Sequence, residues 1–211
     1  MSEPCRLYLI SPPALDAKGF AKALNLAFDG GDVACFQLRL KGVADDDVLR
    51  AAEALMPICV ERGVAFIVND RADLAKRAAA DGVHIGSDDG DYDTARATIG
   101  RDKIIGVSCY DSHHRAIEAA EAGADYVAFG AFFPTATKEP KARAEIDLLE
   151  WWSEIMVVPS VAIGGITPEN CGPLVKAGAD FLAVISAVWE HGNGPAAAVK
   201  AFNDAIGRTQ E

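Results

Sequence analysis

The chain has 211 residues, of which half are apolar, and a net charge of −11 from 20 basic and 31 acidic side chains. This composition supports a full hydrophobic core and excludes wholesale disorder. The acidic balance argues against nucleic acid or an anionic membrane as a partner, because both require basic excess. A phosphorylated small molecule remains compatible, since a few local cations and backbone N–H groups can bind one.

The N-terminal residues 1–6 lack the pattern of a signal peptide, and no apolar run approaches the ~18 residues of a membrane span. The five cysteines are widely spaced and contain no CxxC pair, which makes zinc or a disulfide framework improbable. We therefore expect reduced thiols and a cytoplasmic location. A homo-oligomer is compatible with the sequence, which leaves the oligomeric state open.

Eight short segments rich in β-branched residues have the composition of strands buried on both faces. In chain order, these predicted strands are residues 6–10, 33–38, 65–68, 82–85, 103–107, 126–129, 160–163 and 181–184. Alanine-rich amphipathic stretches such as 46–62, 112–121 and 168–176 lie between them and are predicted helices.

The helix boundaries carry recognisable signals. Ser112 and the pair Thr167-Pro168 are predicted helix starts, and the glycines at 82, 123 and 178 are predicted to end helices. The recurring helix–glycine–strand unit indicates right-handed parallel crossovers. We therefore predict an α/β fold, a single (βα)8 TIM-barrel domain over residues 1–211. A doubly wound open sheet is the alternative, but the chain lacks its glycine-rich dinucleotide motif.

Polar residues follow several predicted strands, where an α/β barrel builds its active site. After the second strand, Gln37, Arg39 and Lys41 share one face, while Leu38 and Leu40 face the helices. Arginine binds oxyanions bidentately and lysine adds a second positive charge. This pattern predicts a binding site for a polyanion.

Two aspartates follow the third and fourth strands. Asp70 stands in the segment Asn69-Asp70-Arg71, and Asp89 lies in the next loop. Carboxylates together with phosphate oxygens are typical Mg²⁺ ligands, so we predict a magnesium site there. Asp91 and Asp93 are instead assigned to the start of a helix, and His84 is expected to be a partly buried, hydrogen-bonded histidine.

The loop after the sixth strand, residues 130–138, contains two threonines and a lysine: Thr135, Thr137 and Lys138. The hydroxyls can donate to phosphate oxygens, and the ammonium adds a point charge. Ser108, at the end of the fifth strand, is a further candidate donor. Its neighbour Cys109 has no identifiable base and is assigned to packing, and His113 and His114 are expected on a helix surface.

The seventh and eighth strands end in Gly164-Gly165 and Ile185-Ser186. These loops commonly hold a phosphate in barrels through backbone N–H groups. The strand ends thus offer two separate sites for anions, one lined by positively charged side chains and one by uncharged residues. Two such sites predict two phosphorylated substrates or one very long one. A pyrophosphate with Mg²⁺ at the cationic site would be a good leaving group.

Taken together, these segments resemble the thiamine-phosphate synthase family over nearly the whole chain. The resemblance rests on motifs at 37–41, 69–71, 82–86, 106–108, 133–138, 162–166 and 185–186, with Pro-Thr-x-Thr-Lys the most specific. It implies a transferase that joins hydroxymethylpyrimidine pyrophosphate to hydroxyethylthiazole phosphate, giving thiamine phosphate and pyrophosphate. Departures from the family pattern occur at Leu40, Ser87, Tyr110, residues 11–13 and near Glu145.

The resemblance also implies roles for individual residues. Gln37 would contact the pyrimidine, and pyrophosphate would be held by Arg39, Lys41, Asn69, Ser108 and Lys138. Asp70 and Asp89 would bind Mg²⁺, and the thiazole phosphate would be received by Thr135, Thr137, Gly165, Ile185 and Ser186. Catalysis would rest on Arg39, Lys41, Ser108 and Lys138. A thiazole tautomerase-like relative and a non-catalytic thiamine-precursor binding domain are the alternatives.

Overall fold

The computed structural model describes residues 4–86, 91–135 and 142–210. Its eight parallel strands close into a barrel in sequence order, with β1 also paired to β8. The strands are β1 Arg6–Ile10, β2 Cys35–Leu38, β3 Ala65–Asn69, β4 Gly82–Ile85, β5 Ile104–Tyr110, β6 Tyr126–Gly130, β7 Ser160–Ile163 and β8 Phe181–Val184. The predicted fold is confirmed, and β5 extends three residues beyond its predicted end.

Helices cover the outside of the barrel between successive strands. They are α1 Ala17–Asp29, α2 Asp45–Arg62, α3 Ala72–Arg77, α4 Tyr92–Ile99, α5 His113–Ala122, α6 Ile146–Ile155, α7 Gly172–Lys176, α8 Ser186–Trp189 and α9 Pro195–Gln210. The side chains of Asp91 and Ser112 accept backbone N–H groups at the starts of α4 and α5, as their positions predict. Gly123 ends α5 in the left-handed conformation.

Two predicted helix boundaries are wrong. Residues 167–171 form a separate turn, because the Asn170 side chain accepts the backbone N–H of Thr167, and α7 begins only at Gly172. Gly82 does not end a helix but opens β4; the left-handed residue after α3 is Ala79, with φ 58°. A glycine is needed at 82 for another reason, since a Cβ there would lie 2.3 Å from the carbonyl oxygen of Ile104.

The core has two parts on opposite sides of the sheet. The larger part lies between the sheet and the helices and includes Phe36, Phe66, Phe129, Trp152 and Phe202, each at most 1% exposed. The smaller part fills the barrel interior and contains Tyr8, Ile10, Cys35, Ile67, Tyr126, Ala128, Val161 and Ala183. The interior therefore contains two phenol groups within an otherwise mostly aliphatic set, directly beneath the mouth of the barrel.

The cysteines and the two histidines of α5 agree with expectation. Cys109 is fully buried, and burial raises the pKa of its thiol to about 12, as expected of a packing residue. All five cysteines are buried and unbridged. His113 and His114 are exposed on α5. Within the described residues, no helix is both long and apolar enough to cross a membrane.

Candidate active site

One cavity opens at the carboxyl ends of the strands and collects most of the predicted site residues. It is lined by Gln37, Arg39, Lys41, Asn69, Asp70, Ser108, Thr135, Gly165, Ile185 and Ser186. Asp89, Thr137 and Lys138 lie outside the described residues, as does Ser87. Every predicted site residue that belongs to the described part of the chain therefore lines this cavity.

The end of β2 is built as its sequence predicts. Gln37 is 3% exposed and faces the cavity together with Arg39 and Lys41, whereas Leu38 is buried in the outer core. Ser11, at the end of β1, positions this segment: its fully buried hydroxyl accepts the Arg39 backbone N–H at 2.9 Å. Ser11 is a structural part of the site that sequence reasoning recognised only as a departure from the family pattern.

Two groups with different predicted roles meet at the end of β3. The Lys41 ammonium lies 2.7 Å from Oδ2 of Asp70, whose side chain is only 16% exposed. Asp70 has φ 64°, a left-handed conformation that aspartate tolerates better than most residues. Its backbone N–H donates to the carbonyl oxygen of His84 at 2.7 Å, which fixes the carboxylate at the mouth. Arg71 points elsewhere and pairs with Asp45 and Asp73.

A cluster of three or more metal-ligating side chains is absent from residues 4–86, 91–135 and 142–210. Asp70 alone still fits a magnesium site, because Mg²⁺ in enzymes is often held by one or two carboxylates together with substrate phosphate oxygens and water. The second predicted ligand, Asp89, belongs to the part that is not described. The metal site therefore stays a prediction.

The floor of the cavity is a chain of hydrogen-bonded side chains. Gln37 Nε2 donates to the Tyr8 hydroxyl at 2.9 Å, and the hydroxyls of Tyr8 and Tyr126 are 2.8 Å apart. His84 has Nδ1 3.0 Å from the Tyr126 hydroxyl and Nε2 2.8 Å from Ser108 Oγ. Burial raises the pKa of both tyrosines well above the ordinary value, so both remain protonated.

Sequence reasoning missed Tyr8 and Tyr126 as site residues. The signal that could have found them is polarity inside the barrel: each occupies an inward position of a strand whose other inward residues are mostly apolar. A buried tyrosine usually finds a hydrogen-bond partner, and two such residues in one barrel interior predict a polar floor.

Gly106 makes room for this arrangement. It lies in β5 beside His84 of β4 and Tyr126 of β6 in the strand register. A Cβ at Gly106 would lie 1.9 Å from Cζ and 2.3 Å from the hydroxyl oxygen of Tyr126. Since His84 and Tyr126 are two strands apart, their rings can stack at 5.6 Å only because the residue between them has no side chain.

The loops after β6 and β7 pack closely together. The backbone N–H of Phe133 donates to the carbonyl oxygen of Gly164, and Asn170 donates its amide to the carbonyl oxygen of Gly165. Gly165 has φ 63°, and a Cβ there would lie 2.3 Å from the carbonyl oxygen of Pro134. Glycine is thus required for loop packing; its role towards a phosphate stays a prediction.

The residues that directly follow β8 are uncharged. Ile185 and Ser186 stand at the start of the short helix α8 and line the cavity. Trp189 fixes this helix to the neighbouring strand by donating its indole N–H to the carbonyl oxygen of Ile10 at 2.7 Å. Neither 164–167 nor 185–187 contains a lysine or arginine, in contrast to the cationic end of β2.

Tyr110 also lines the cavity and ends β5 after a register shift between Ser108 and Tyr110. Its φ is 57°, which is uncommon for an aromatic residue and is typical of functional sites. Ser108 and Tyr110 both line the cavity, one on each side of this register shift. Tyr110 is one of the departures from the family pattern, and its place in the wall makes it a determinant of cavity shape.

The closed parallel barrel, with polar side chains converging at the carboxyl ends of its strands, defines the class: a (βα)8-barrel enzyme with a polar mouth. The comparisons with known proteins then narrow this class. The family model described as thiamine monophosphate synthase matches residues 7–188. The chain therefore belongs to the thiamine monophosphate synthase family and is a transferase.

Individual relatives agree with this assignment. A thiamine-phosphate synthase of Rhodospirillum centenum is 60% identical and covers 94% of this chain and 96% of its own length. One of Hyphomonas neptunium is 54% identical, covering 94% and 92% respectively. Among solved structures, a thiamine phosphate pyrophosphorylase from Pyrococcus furiosus superposes with a TM-score of 0.86 at 29% identity, covering 98% of this chain and 97% of that one.

Proposed function

We propose that this protein joins hydroxymethylpyrimidine pyrophosphate to hydroxyethylthiazole phosphate, releasing pyrophosphate. The observation that carries the proposal is that one cavity brings together residues from both predicted anion sites, the Arg39–Lys41 side and the Gly165–Ser186 side. The names of the relatives support synthase activity over a tautomerase or a non-catalytic binding domain. The small phosphorylated substrates, a cytoplasmic location and action as one barrel domain form part of the same proposal.

The proposed reaction is dissociative. The bond between the pyrimidine methylene carbon and the pyrophosphate oxygen breaks first, and its electron pair leaves with pyrophosphate. The thiazole nitrogen then donates its lone pair to the resulting carbocation. Such a reaction depends on stabilising charge more than on a general base, which agrees with a cavity lined by Arg39, Lys41 and Ser108.

The residues of the chain divide between the two substrates. Gln37 would orient the pyrimidine ring, and Arg39, Lys41, Asn69, Ser108 and Lys138 would bind the leaving pyrophosphate. Asp70 and Asp89 would hold Mg²⁺, which supplies further neutralisation of the leaving group. Thr135, Thr137, Gly165, Ile185 and Ser186 would bind the thiazole phosphate.

The proposal is tested by incubating the purified protein with both substrates and Mg²⁺ and measuring thiamine phosphate and pyrophosphate. Equal amounts of the two products are expected, with none when either substrate is omitted. Isomerisation of a thiazole without pyrophosphate release would identify a tautomerase instead. Binding of the precursors without any product would identify a binding domain.

A further inference from the structure

The hydrogen-bonded floor of the cavity connects the two ends of one proposed substrate. The series of hydrogen bonds begins at Gln37 on β2, which is assigned to the pyrimidine ring. It ends at Ser108 on β5, which is assigned to the leaving pyrophosphate. Between them lie Tyr8, Tyr126 and His84, joined by contacts of 2.8–3.0 Å. None of these three carries a role in the proposed reaction.

With an uncharged imidazole, the floor allows two directions of hydrogen bonding, and in the first of them each group donates towards Ser108. Tyr8 accepts from Gln37 Nε2 and holds one proton of its own, which it donates to the oxygen of Tyr126. Tyr126 then donates its single proton to Nδ1 of His84. An imidazole that accepts at Nδ1 carries its proton on Nε2, and that nitrogen faces Ser108 Oγ.

We propose that Tyr8, Tyr126 and His84 are positioning residues that fix this direction, so that His84 donates to the Ser108 oxygen and the Ser108 hydroxyl donates its own proton into the cavity. Ser108 is thereby held as a donor towards the developing charge on the leaving group, where preorganised donors are most effective. This inference rests on the proposed function for the identity of the leaving group.

The opposite direction would require Ser108 to donate to His84 and Tyr126 to donate to Tyr8. Tyr8 would then accept twice, and its own proton would have to go to the neighbouring thiol of Cys35. A thiol sulfur is a weak acceptor compared with a phenol oxygen. The forward direction is favoured because it gives the Tyr8 proton an oxygen partner at 2.8 Å.

The glycine at 106 supports a built arrangement rather than an accidental one. It is the position that allows Tyr126 to reach His84 across β5, since a Cβ would overlap the tyrosine ring. The chain of contacts thus depends on three adjacent strands carrying histidine, glycine and tyrosine in register. Packing alone would not require a hydroxyl group at 126 or an imidazole group at 84.

The first test measures the proton position on His84 without any substrate. The chain has four histidines, so ¹⁵N-histidine labelling and two-bond correlation spectra, assigned with His84→Gln, report its tautomer directly. The wild-type protein is expected to carry the proton on Nε2. The Tyr8→Phe substitution is separated from His84 by one residue in the series of hydrogen bonds. It is expected to increase the fraction of His84 protonated on Nδ1, because the Tyr126 oxygen loses the proton donated by Tyr8 and can accept one from Nδ1 instead.

The matched control is Tyr92→Phe on α4, whose hydroxyl donates to the carbonyl oxygen of Gly123 on the outside of the barrel. This substitution also removes one phenol oxygen, but far from His84, and is expected to leave the His84 tautomer unchanged. A wild-type His84 protonated on Nδ1 overturns the proposed direction. An unchanged tautomer in Tyr8→Phe overturns the positioning role of Tyr8.

The second test measures transmission to Ser108 through kinetics. Tyr126→Phe is expected to lower kcat about 2- to 10-fold, the range that follows from one lost net hydrogen bond, with a smaller change in KM. In the Ser108→Ala background the same change should have little further effect, because neighbouring residues that act through one another are not additive. Equal effects in both backgrounds would show that Tyr126 does not act through Ser108. Absence of product from the wild-type protein would refute the function, while the tautomer would still decide the direction.

Discussion

Replacing Gly106 by alanine is expected to destabilise the protein strongly, although alanine is the smallest possible addition. The new Cβ would lie 1.9 Å from a ring carbon of Tyr126, whereas real Cβ atoms rarely approach closer than about 3.4 Å, so the ring must move. Tyr126 is 7% exposed and held between Tyr8 and His84, which leaves it little space. Overpacking of this kind costs about 1–3 kcal/mol, and two disrupted hydrogen bonds raise the total to about 2–6 kcal/mol.

The matched control is Gly207→Ala. Gly207 lies in α9, is exposed, and a Cβ there would meet nothing within 4 Å. Alanine should stabilise this helix by about 0.5–1 kcal/mol, because glycine is a poor helix former. The same chemical change is thus expected to have opposite signs at the two positions.

Thermal and urea unfolding of the two variants and the wild-type protein measure both effects. For a chain of this size, Tm should fall by roughly 5–20 °C in Gly106→Ala and rise by roughly 1–4 °C in Gly207→Ala. A Gly106→Ala protein as stable as the wild type would refute the reasoning, because it would mean that Tyr126 does not occupy the space above β5.

Three further predictions concern the mouth and the floor of the barrel. Asp70→Asn should lower turnover strongly and raise the Mg²⁺ requirement, because it removes a ligand charge; unchanged rates in a titration at limiting Mg²⁺ would exclude a metal role. Lys138→Ala should lower kcat on the order of 10²–10³-fold and change KM less, and steady-state kinetics that show only a higher KM would make Lys138 a binding residue. The raised pKa values of Tyr8 and Tyr126 mean that the folded protein retains protons that the unfolded chain releases. The free energy of unfolding should therefore be highest below about pH 10 and decrease as the pH rises further. Urea unfolding across this pH range measures the change. Absorbance of the native protein showing all four tyrosines ionised together near pH 10 would contradict the raised pKa values.

The sequence predicts the barrel well because each of its signals is local. A short β-branched run, an amphipathic stretch and a glycine turn are all read within about 15 residues, and eight repetitions leave few topologies. The mouth follows from the same information, since Gln37, Arg39 and Lys41 must share a face once the strand is assigned. Neither the prediction of the barrel nor that of its polar mouth depends on contacts between distant parts of the sequence.

The features that the sequence did not reveal depend on contacts between distant segments. Tyr8 and Tyr126 are 118 residues apart and meet only when the barrel closes. The pair formed by Lys41 and Asp70 likewise depends on how two strand ends are placed. Gly82 was wrongly assigned to a helix end because a glycine required by close packing has the same local pattern as one required by a turn.

The packing of the loops after β6 and β7 has a consequence for how this site can change. Ala131 and Pro134 occupy the space that a side chain at Gly164 or Gly165 would need. A side chain at Gly164 or Gly165 therefore requires the loop after β6 to rearrange, and random variation of these two positions alone should return mostly glycine. Under the proposed function, a change in preference for the thiazole substrate would require exchanging both loops together.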